Sequence, residues 1–264
     1  MLKVAMFSGG KDSAATIALM RDLGMLPDLV VFAEVMFDSK RGISGEIPEH
    51  IDWVYGMAKP LIESWGCKFE VVRGKKDYVT IFNERIVRSQ YPDRVGKKKG
   101  FPLAGRCVIK RDLKVRPVQK YLRSLHEPYI QFLGIAANET DRLNLDKNCR
   151  SILNEQGIIE AEAFEIAFRN GLLSPTYDNG KRGGCWFCPS APVCEFARTK
   201  TNHKELWEGL ARLDKEEDRA SPYFRYNKTF SEVDKEVDDE ISRGIFQQMS
   251  ILEVLRINEK GRQS

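Results

Sequence analysis

The sequence predicts an α/β protein whose mainly parallel, twisted sheet carries helices on both faces, followed by a helical C-terminal region. Apolar, strand-like runs alternate with helical patterns over most of the chain. After about residue 198, charged helical patterns dominate. Alternation of this kind is typical of βαβ units, in which ligands bind beyond the carboxyl ends of the strands. We therefore expect two parts, residues 1–198 and 199–264, with the ligand site in the first.

The predicted elements follow from hydrophobic periodicity. Strands are predicted at residues 1–8, 29–35, 68–72 and 129–135. Helices are predicted at residues 12–24, 49–65, 77–90 and 112–125. The rule for parallel sheets then places Ser8–Ser13, Phe37–Asp38 and Gly134–Glu139 along one edge.

Composition limits the class of protein. Of the 264 residues, 42% are hydrophobic and 30% are charged, which is typical of a soluble chain. No apolar run approaches the roughly 20 residues that span a bilayer, and the N-terminus is typical of a first strand rather than a signal peptide. We expect a cytoplasmic protein without a membrane partner. Six cysteines then indicate reduced thiols used for metal binding or catalysis.

Basic residues are concentrated in residues 94–123, which contain eleven Lys or Arg and one acid, Asp112. Such a segment can bind phosphate or sulfate groups, including those of nucleic acid. The alternative is a solvated helix face beside a lysine-rich loop at residues 97–99.

The most informative stretch is Ser8-Gly9-Gly10-Lys11-Asp12-Ser13, between the first strand and the first helix. Glycines let backbone N–H groups approach an oxyanion closely, and the helix directs its positive N-terminus at the same point. Lysine adds a charge and the two serines add hydroxyl donors. The spacing is too short for a Walker A loop. The sequence therefore predicts a phosphate-binding loop of another kind.

This hexapeptide resembles the PP-loop of the ATP pyrophosphatase superfamily, whose members grip the pyrophosphate of a nucleotide. Three further segments resemble the phosphoadenosine phosphosulfate (PAPS) reductase-like branch of that superfamily. They are Phe37–Ser39 with Glu46–Glu49, Gly105–Cys107 with Leu113, Lys114 and Pro117, and Gly134-Ile135 with Glu139 and Arg142. Ala136 stands where that branch usually has arginine, and Thr140 replaces serine. The resemblance covers residues 1–195 and implies an adenine nucleotide alpha hydrolase-like fold that binds ATP or a sulfonucleotide.

Acids at the predicted ligand edge are candidates for holding Mg²⁺, which takes one or two carboxylates when bound with nucleotide phosphates. Each acid alone is also compatible with a helix cap or a solvated turn. The predicted catalytic residues are Lys11, Asp12, Asp38 and Glu139. The predicted phosphate-binding residues are Ser8, Gly9, Gly10, Lys11, Asp12, Ser13 and Arg142.

A second group of candidate functional residues lies around Gly184-Cys185-Trp186-Phe187-Cys188. Cys185, Cys188 and Cys194 lie in a short Gly- and Pro-rich stretch, and Cys107 is a candidate fourth thiolate. Four thiolates suit a structural Zn²⁺ or an iron–sulfur cluster, and spacing alone does not separate the two. Cys67 is expected in the core. Cys149 is expected at the surface or in packing, with a sulfur-carrying thiol as the alternative.

The run from Ser174 to Arg182, followed by this Gly-Cys-Trp-x-Cys loop, resembles the DNA phosphorothioation sulfur-transfer proteins and related phage and bacterial PAPS reductase-like proteins. That resemblance implies a [4Fe-4S] cluster on Cys107, Cys185, Cys188 and Cys194, within a cysteine loop at about residues 180–195.

True PAPS and APS reductases attack with a C-terminal cysteine, whereas this chain has none after Cys194. The adjacent cysteine pair of cluster-bearing APS reductases is also missing, because Arg106 precedes Cys107. The resemblance therefore implies an ATP-dependent, adenylating sulfurtransferase. Its acceptor is a nucleic acid, or alternatively a small molecule, and its sulfur comes from cluster-bound sulfide, a persulfide or a sulfur-donor protein. Two alternatives stay open: a sulfonucleotide reductase with an atypical thiol such as Cys149, and a nucleotide-binding component of a larger modification or defence assembly.

Overall fold

The computed structural model describes residues 1–102, 107–179 and 184–244. Its centre is a parallel sheet of five strands in the order β5-β2-β1-β6-β7. The sheet strands are β1 Leu2–Phe7, β2 Leu29–Glu34, β5 Lys68–Arg73, β6 Tyr129–Phe132 and β7 Cys149–Arg150. Two antiparallel hairpins add β3 Met36–Asp38 with β4 Ile43–Ser44, and β8 Tyr223–Arg225 with β9 Lys228–Thr229. The predicted α/β fold class is confirmed.

The helices alternate with the strands through the first two thirds of the chain. They are α1 Lys11–Asp22, α2 Pro48–Trp53, α3 Lys59–Ser64, α4 Tyr78–Asn83, α5 Arg116–Ser124, α6 Ile152–Glu155, α7 Glu160–Arg169, α8 Val193–Asn202, α9 Lys204–Asp214 and α10 Phe230–Arg243. π-helical turns at Val54–Ala58 and Lys110–Val115 precede α3 and α5, and 3₁₀ turns lie at Pro92–Arg94, Thr140–Arg142 and Pro175–Asn179.

Both faces of the sheet are covered, as the sequence predicts. Strand β2 is buried along its whole length, because alternate side chains point to opposite faces. Val30 and Phe32 pack with α1, α2, α3, α6 and α7. Val31 and Ala33 pack on the other face with α5, through Val118 and its neighbours.

The predicted helix over residues 77–90 is wrong in its second half. It begins as expected, with the Asp77 carboxylate accepting the N–H of Thr80 at 2.7 Å, but α4 ends at Asn83. Beyond it, the backbone of Ile86 bonds to Gly96 and Lys97. A local pairing of extended backbone therefore overrides the helical periodicity.

The C-terminal helices pack onto the sheet domain through a third core. Phe37 of β3, Tyr78 of α4 and Trp186 share that core with side chains of α8, α9 and α10. The predicted boundary at residue 198 falls inside α8, and residues 245–264 lie outside the described part. No helix in the described ranges is long and apolar enough to cross a membrane.

A close backbone contact fixes the position of the sheet relative to α1. Gly134, just after β6, lies against the first turn of that helix. A Cβ built at Gly134 would lie 2.4 Å from the backbone N of Ser13 and 2.6 Å from the carbonyl carbon of Asp12. Only glycine fits here, because backbone atoms cannot rotate away as a side chain can.

We expect Gly134→Ala to destabilise the fold by about 1–3 kcal/mol or more, the usual cost of overpacking a well-packed site. Urea denaturation measures the change. Gly56→Ala is the control, since a Cβ there meets no atom within 4 Å and should leave stability unchanged or raised. Equal midpoints for Gly134→Ala and wild type would contradict the contact.

Candidate functional site

The predicted phosphate loop lies between β1 and α1, as the sequence indicates. Gly9 has φ +73°, in the left-handed region that favours glycine, and α1 begins at Lys11. The imidazole of His50 lies directly behind the loop, because a Cβ at Gly9 would come within 2.4 Å of its Nε2. Both the backbone conformation and the neighbouring ring therefore require glycine at position 9.

Several donors of the loop are satisfied by the protein itself. The N–H of Ser8 donates to the Ser13 hydroxyl at 3.1 Å, and the N–H of Gly10 donates to the Ser8 hydroxyl at 3.3 Å. The N–H of Lys11, at the helix start, donates to the Tyr177 hydroxyl at 2.9 Å. Helix-start N–H groups have no intrahelical acceptor and favour anions. The Tyr177 oxygen therefore lies where an oxyanion would bind.

Three carboxylates gather beside the lysine of the loop. Oxygens of Asp12, Glu139 and Glu160 lie within 4.8 Å of one another. The Lys11 ammonium contacts Asp12 at 2.7 Å and Glu160 at 3.1 Å. Oxygen ligands of this type suit Mg²⁺, which binds through one or two carboxylates and the phosphates of a substrate.

Burial and the neighbouring charges shift the pKa values of Asp12 and Lys11. Burial raises the pKa of Asp12, and the nearby Glu139 and Glu160 raise it further against the lowering effect of Lys11. Burial alone lowers the pKa of Lys11, but its hydrogen bonds to Asp12 and Glu160 outweigh burial, so the net pKa is raised. Lys11 is thus held as a cation.

Glu160 reaches the cluster because the loop after β6 is tied to the start of α7. The N–H of Ala137 donates to Ile158 O at 2.8 Å, and the N–H of Glu160 donates to the Asn138 side chain at 3.1 Å. Sequence reasoning missed Glu160, since an acid in the first turn of a helix is ordinarily explained by the helix dipole.

The other predicted acids divide between two places. Glu139 joins the cluster, accepts the N–H of Ala136 at 3.0 Å and pairs with Arg142. Burial raises its pKa, but Arg142 and the Ala136 N–H lower it more, so the net pKa is lowered. Asp38 instead accepts the N–H groups of Lys40 and Arg41 in a turn. Asp38 is absent from the three-acid cluster, and its catalytic role stays a prediction.

His50 and Tyr177 are further residues that sequence reasoning missed. His50 Nδ1 lies 2.7 Å from the Ser174 hydroxyl, and burial lowers its pKa, so the ring is neutral. Ser174 therefore holds the ring behind the loop, and Tyr177 contacts the loop directly. No local motif marks His50. Tyr177 lies in the run from Ser174 to Arg182 that carries a family resemblance, but nothing in that run predicts its contact with Lys11.

The cysteines line a separate cavity of about 210 Å³. Cys107, Cys185 and Cys188 border it together with Tyr78 and Trp186. The Trp186 indole N–H donates to Ser44 O at 3.0 Å, which fixes this side of the loop. Three of the four predicted thiolates are thus brought to one cavity from two distant parts of the chain.

Cys194 lies on α8 and packs against the adjoining core. It does not line the cavity, so its part in a ligand set stays a prediction. Burial raises the pKa of Cys185, and a bound metal would have to displace that proton.

Sulfur spacing bears on which metal group fits. A closed tetrahedral zinc site with Zn–S bonds near 2.3 Å needs sulfurs about 3.8 Å apart. No three cysteine sulfurs in the described ranges lie within 4.8 Å of one another. The choice between zinc and an iron–sulfur cluster at these cysteines stays a prediction.

The remaining cysteines lie elsewhere. Cys67 is buried in the core beside α1, as predicted, and burial raises its pKa to about 11. Cys149 begins β7 and is half-buried, and burial together with Asp146 raises its pKa. A raised pKa disfavours the thiolate, so Cys149 is poorly suited to nucleophilic attack.

Comparisons with known proteins assign no family to this chain. No protein-family model matches the chain, and no curated protein does. Among solved structures, the chain is similar to the phosphoadenylyl-sulfate (PAPS) reductase from Candida auris in its phosphate complex. The TM-score is 0.46 and the identity 12%, over 70% of this chain and 82% of that chain. The chemistry of this protein is therefore argued from its own side chains.

We expect Tyr177→Phe to tighten binding of magnesium pyrophosphate by about two- to tenfold, because it frees the Lys11 N–H from its internal acceptor. Isothermal titration calorimetry measures the affinity. Tyr226→Phe is the control, since that ring is 83% exposed. Weaker binding by Tyr177→Phe would show that the hydroxyl contacts the anion instead of competing with it.

Proposed function

We propose that this protein is an ATP-dependent sulfurtransferase-type enzyme that releases pyrophosphate, carries a [4Fe-4S] cluster and modifies a nucleic acid. The observation that carries the proposal is the loop Ser8–Ser13. Its glycine at positive φ and its helix start lie beside the Lys11 ammonium and three carboxylates. This combination suits the phosphate chain of a nucleotide bound with a divalent cation.

The proposed first step is adenylation. An acceptor oxygen attacks the α-phosphorus of ATP, a new O–P bond forms, and the bond to the β-phosphate oxygen breaks with its electron pair leaving on pyrophosphate. Backbone N–H groups and Lys11 stabilise the charge that develops on the leaving group. Asp12 suits the role of proton acceptor, because burial raises the pKa of its carboxyl above its usual value. Glu139 and Glu160 would hold Mg²⁺, which would supply further charge neutralisation when bound with the phosphates.

A sulfur nucleophile then displaces AMP from the acceptor. The cysteine cavity supports the sulfur part of the proposal, and Cys107, Cys185, Cys188 and Cys194 would hold the cluster. Such a cluster supplies redox and sulfur chemistry when it is bound. Reduction of a sulfonucleotide by Cys149 is less well supported, because the pKa of that thiol is raised.

A basic groove of about 560 Å³ supports an anionic acceptor. Its cationic side chains are Arg73, Lys75, Lys76, Arg116 and Lys120. Asp112 and Glu84 also line the groove and pair with Arg116 and Lys76, and Arg73 pairs with Glu34. In the segment 94–123, Lys98 and Lys99 are likewise paired with acids. Nucleic-acid binding therefore stays a proposal that depends on the cations of this groove.

Lys11→Ala should weaken binding of Mg²⁺ with a non-hydrolysable ATP analogue by about ten- to a hundredfold, the usual loss of a charged hydrogen-bond partner. Lys204→Ala is the control, because that side chain is 81% exposed. Unchanged affinity in Lys11→Ala would contradict the assignment of Ser8–Ser13 as the phosphate loop.

With Mg·ATP, hydrosulfide and a nucleic acid present, the products should be AMP and pyrophosphate. ADP and phosphate would contradict cleavage at the α-phosphate, and binding without turnover would favour a non-enzymatic component.

Cys185→Ser should remove the iron and the broad visible absorbance of protein purified without oxygen, because serine cannot replace a thiolate ligand. Iron and acid-labile sulfide analysis measures the change. Cys149→Ser is the matched control and should keep full iron, since Cys149 begins β7 and does not line the cavity. Stoichiometric zinc without colour in the wild type would make the cysteines structural.

A further inference from the structure

A tyrosine in the cysteine cavity carries a polar group without a partner. Tyr78, the first residue of α4, borders the same cavity as Cys107, Cys185 and Cys188. It is 1% exposed. Its hydroxyl is buried and has no hydrogen-bond partner among the residues that the structure describes. Burying an unpaired hydroxyl is unfavourable, so a hydrogen-bond acceptor bound in the cavity would stabilise this arrangement.

Aromatic contacts hold the ring of Tyr78, and therefore its hydroxyl, in this position. It stacks on Phe37 with ring centroids 5.2 Å apart and packs on Phe187 at 4.3 Å. Phe187 lies between the two cysteines of the loop, so the cysteine loop itself holds the phenol in place. Phe37 and Phe187 are both phenylalanines. A phenylalanine at position 78 would fill the same space as Tyr78 without an unpaired oxygen.

Two other side-chain donors that border the cavity already have acceptors. Trp186 donates its indole N–H to Ser44 O, and the Thr199 hydroxyl donates to Glu195 O at 3.0 Å. Tyr78 lines the same cavity as Cys107, Cys185 and Cys188, so its hydroxyl shares that cavity with the three thiols. Tyr78 is thus a donor positioned beside the thiolates.

We propose that the Tyr78 hydroxyl donates a hydrogen bond to a sulfur of the cluster that the cysteines hold. The inference rests on the proposed function, because it assumes that the cavity contains the cluster. A donor beside sulfur stabilises negative charge, and it does so more in the reduced state, which carries one more electron. Tyr78 therefore raises the midpoint potential of the cluster.

Tyr78→Phe tests this in the full chain, purified anaerobically and reconstituted with iron and sulfide. The variant should keep wild-type iron content and fold, because phenylalanine preserves the packing. Its midpoint potential, from a redox titration followed by absorbance, should shift to a more negative value. An exchangeable proton coupling, seen by electron–nuclear double resonance on the reduced wild type, should disappear. Tyr226→Phe should change neither observable.

Each failure has its own signature. Full iron in Tyr78→Phe with an unchanged potential and an unchanged proton coupling would overturn the role of Tyr78 and leave the cluster standing. Wild-type protein that takes up no iron on reconstitution would overturn the cluster itself, and the hydrogen bond with it. Loss of iron only in Tyr78→Phe would make Tyr78 necessary for assembly and would contradict a hydrogen bond that merely adjusts the potential.

Discussion

The contact of Gly134 with the backbone of Asp12 and Ser13 is the constraint on which the proposed nucleotide site depends. It brings the loop after β6 against the first turn of α1, without a side chain between them. The same loop carries Glu139 and is hydrogen-bonded to the start of α7, which carries Glu160. A single close approach of two backbones therefore assembles carboxylates from three separate parts of the chain.

The two candidate sites are joined by one stretch of sequence. Tyr177 bonds to the first N–H of α1, and Cys185 follows it by eight residues at the edge of the cysteine cavity. On its other side, this cavity borders the core shared with α8, α9 and α10. Helix α8 lines the cavity through Glu195 and Thr199, and it packs with α9 and α10 in that core.

The parallel sheet and the phosphate loop could be predicted from sequence because their signals are local. Apolar runs marked the four longer strands, and Ser8–Ser13 carries its glycines, lysine and serines within six residues. Glu160, His50 and Tyr177 could not be found in that way, since each reaches the loop through tertiary contacts and each residue type has an ordinary local explanation. Asp38 shows the opposite case. Its position along the sheet edge predicted a site residue, but its carboxylate accepts two backbone N–H groups of a turn.

In the proposed function, the carboxylate cluster also determines whether the cation binds with the phosphate chain or after it. Around the loop, Lys11 and Arg142 are two cations against the three anions Asp12, Glu139 and Glu160. A bare polyphosphate entering there meets net repulsion, whereas a phosphate chain that arrives with its divalent cation supplies the missing positive charge. Under the proposed function, the site therefore selects for the metal complex over the free anion. AMP, which carries less charge and holds the cation weakly, has little to retain it once pyrophosphate has gone.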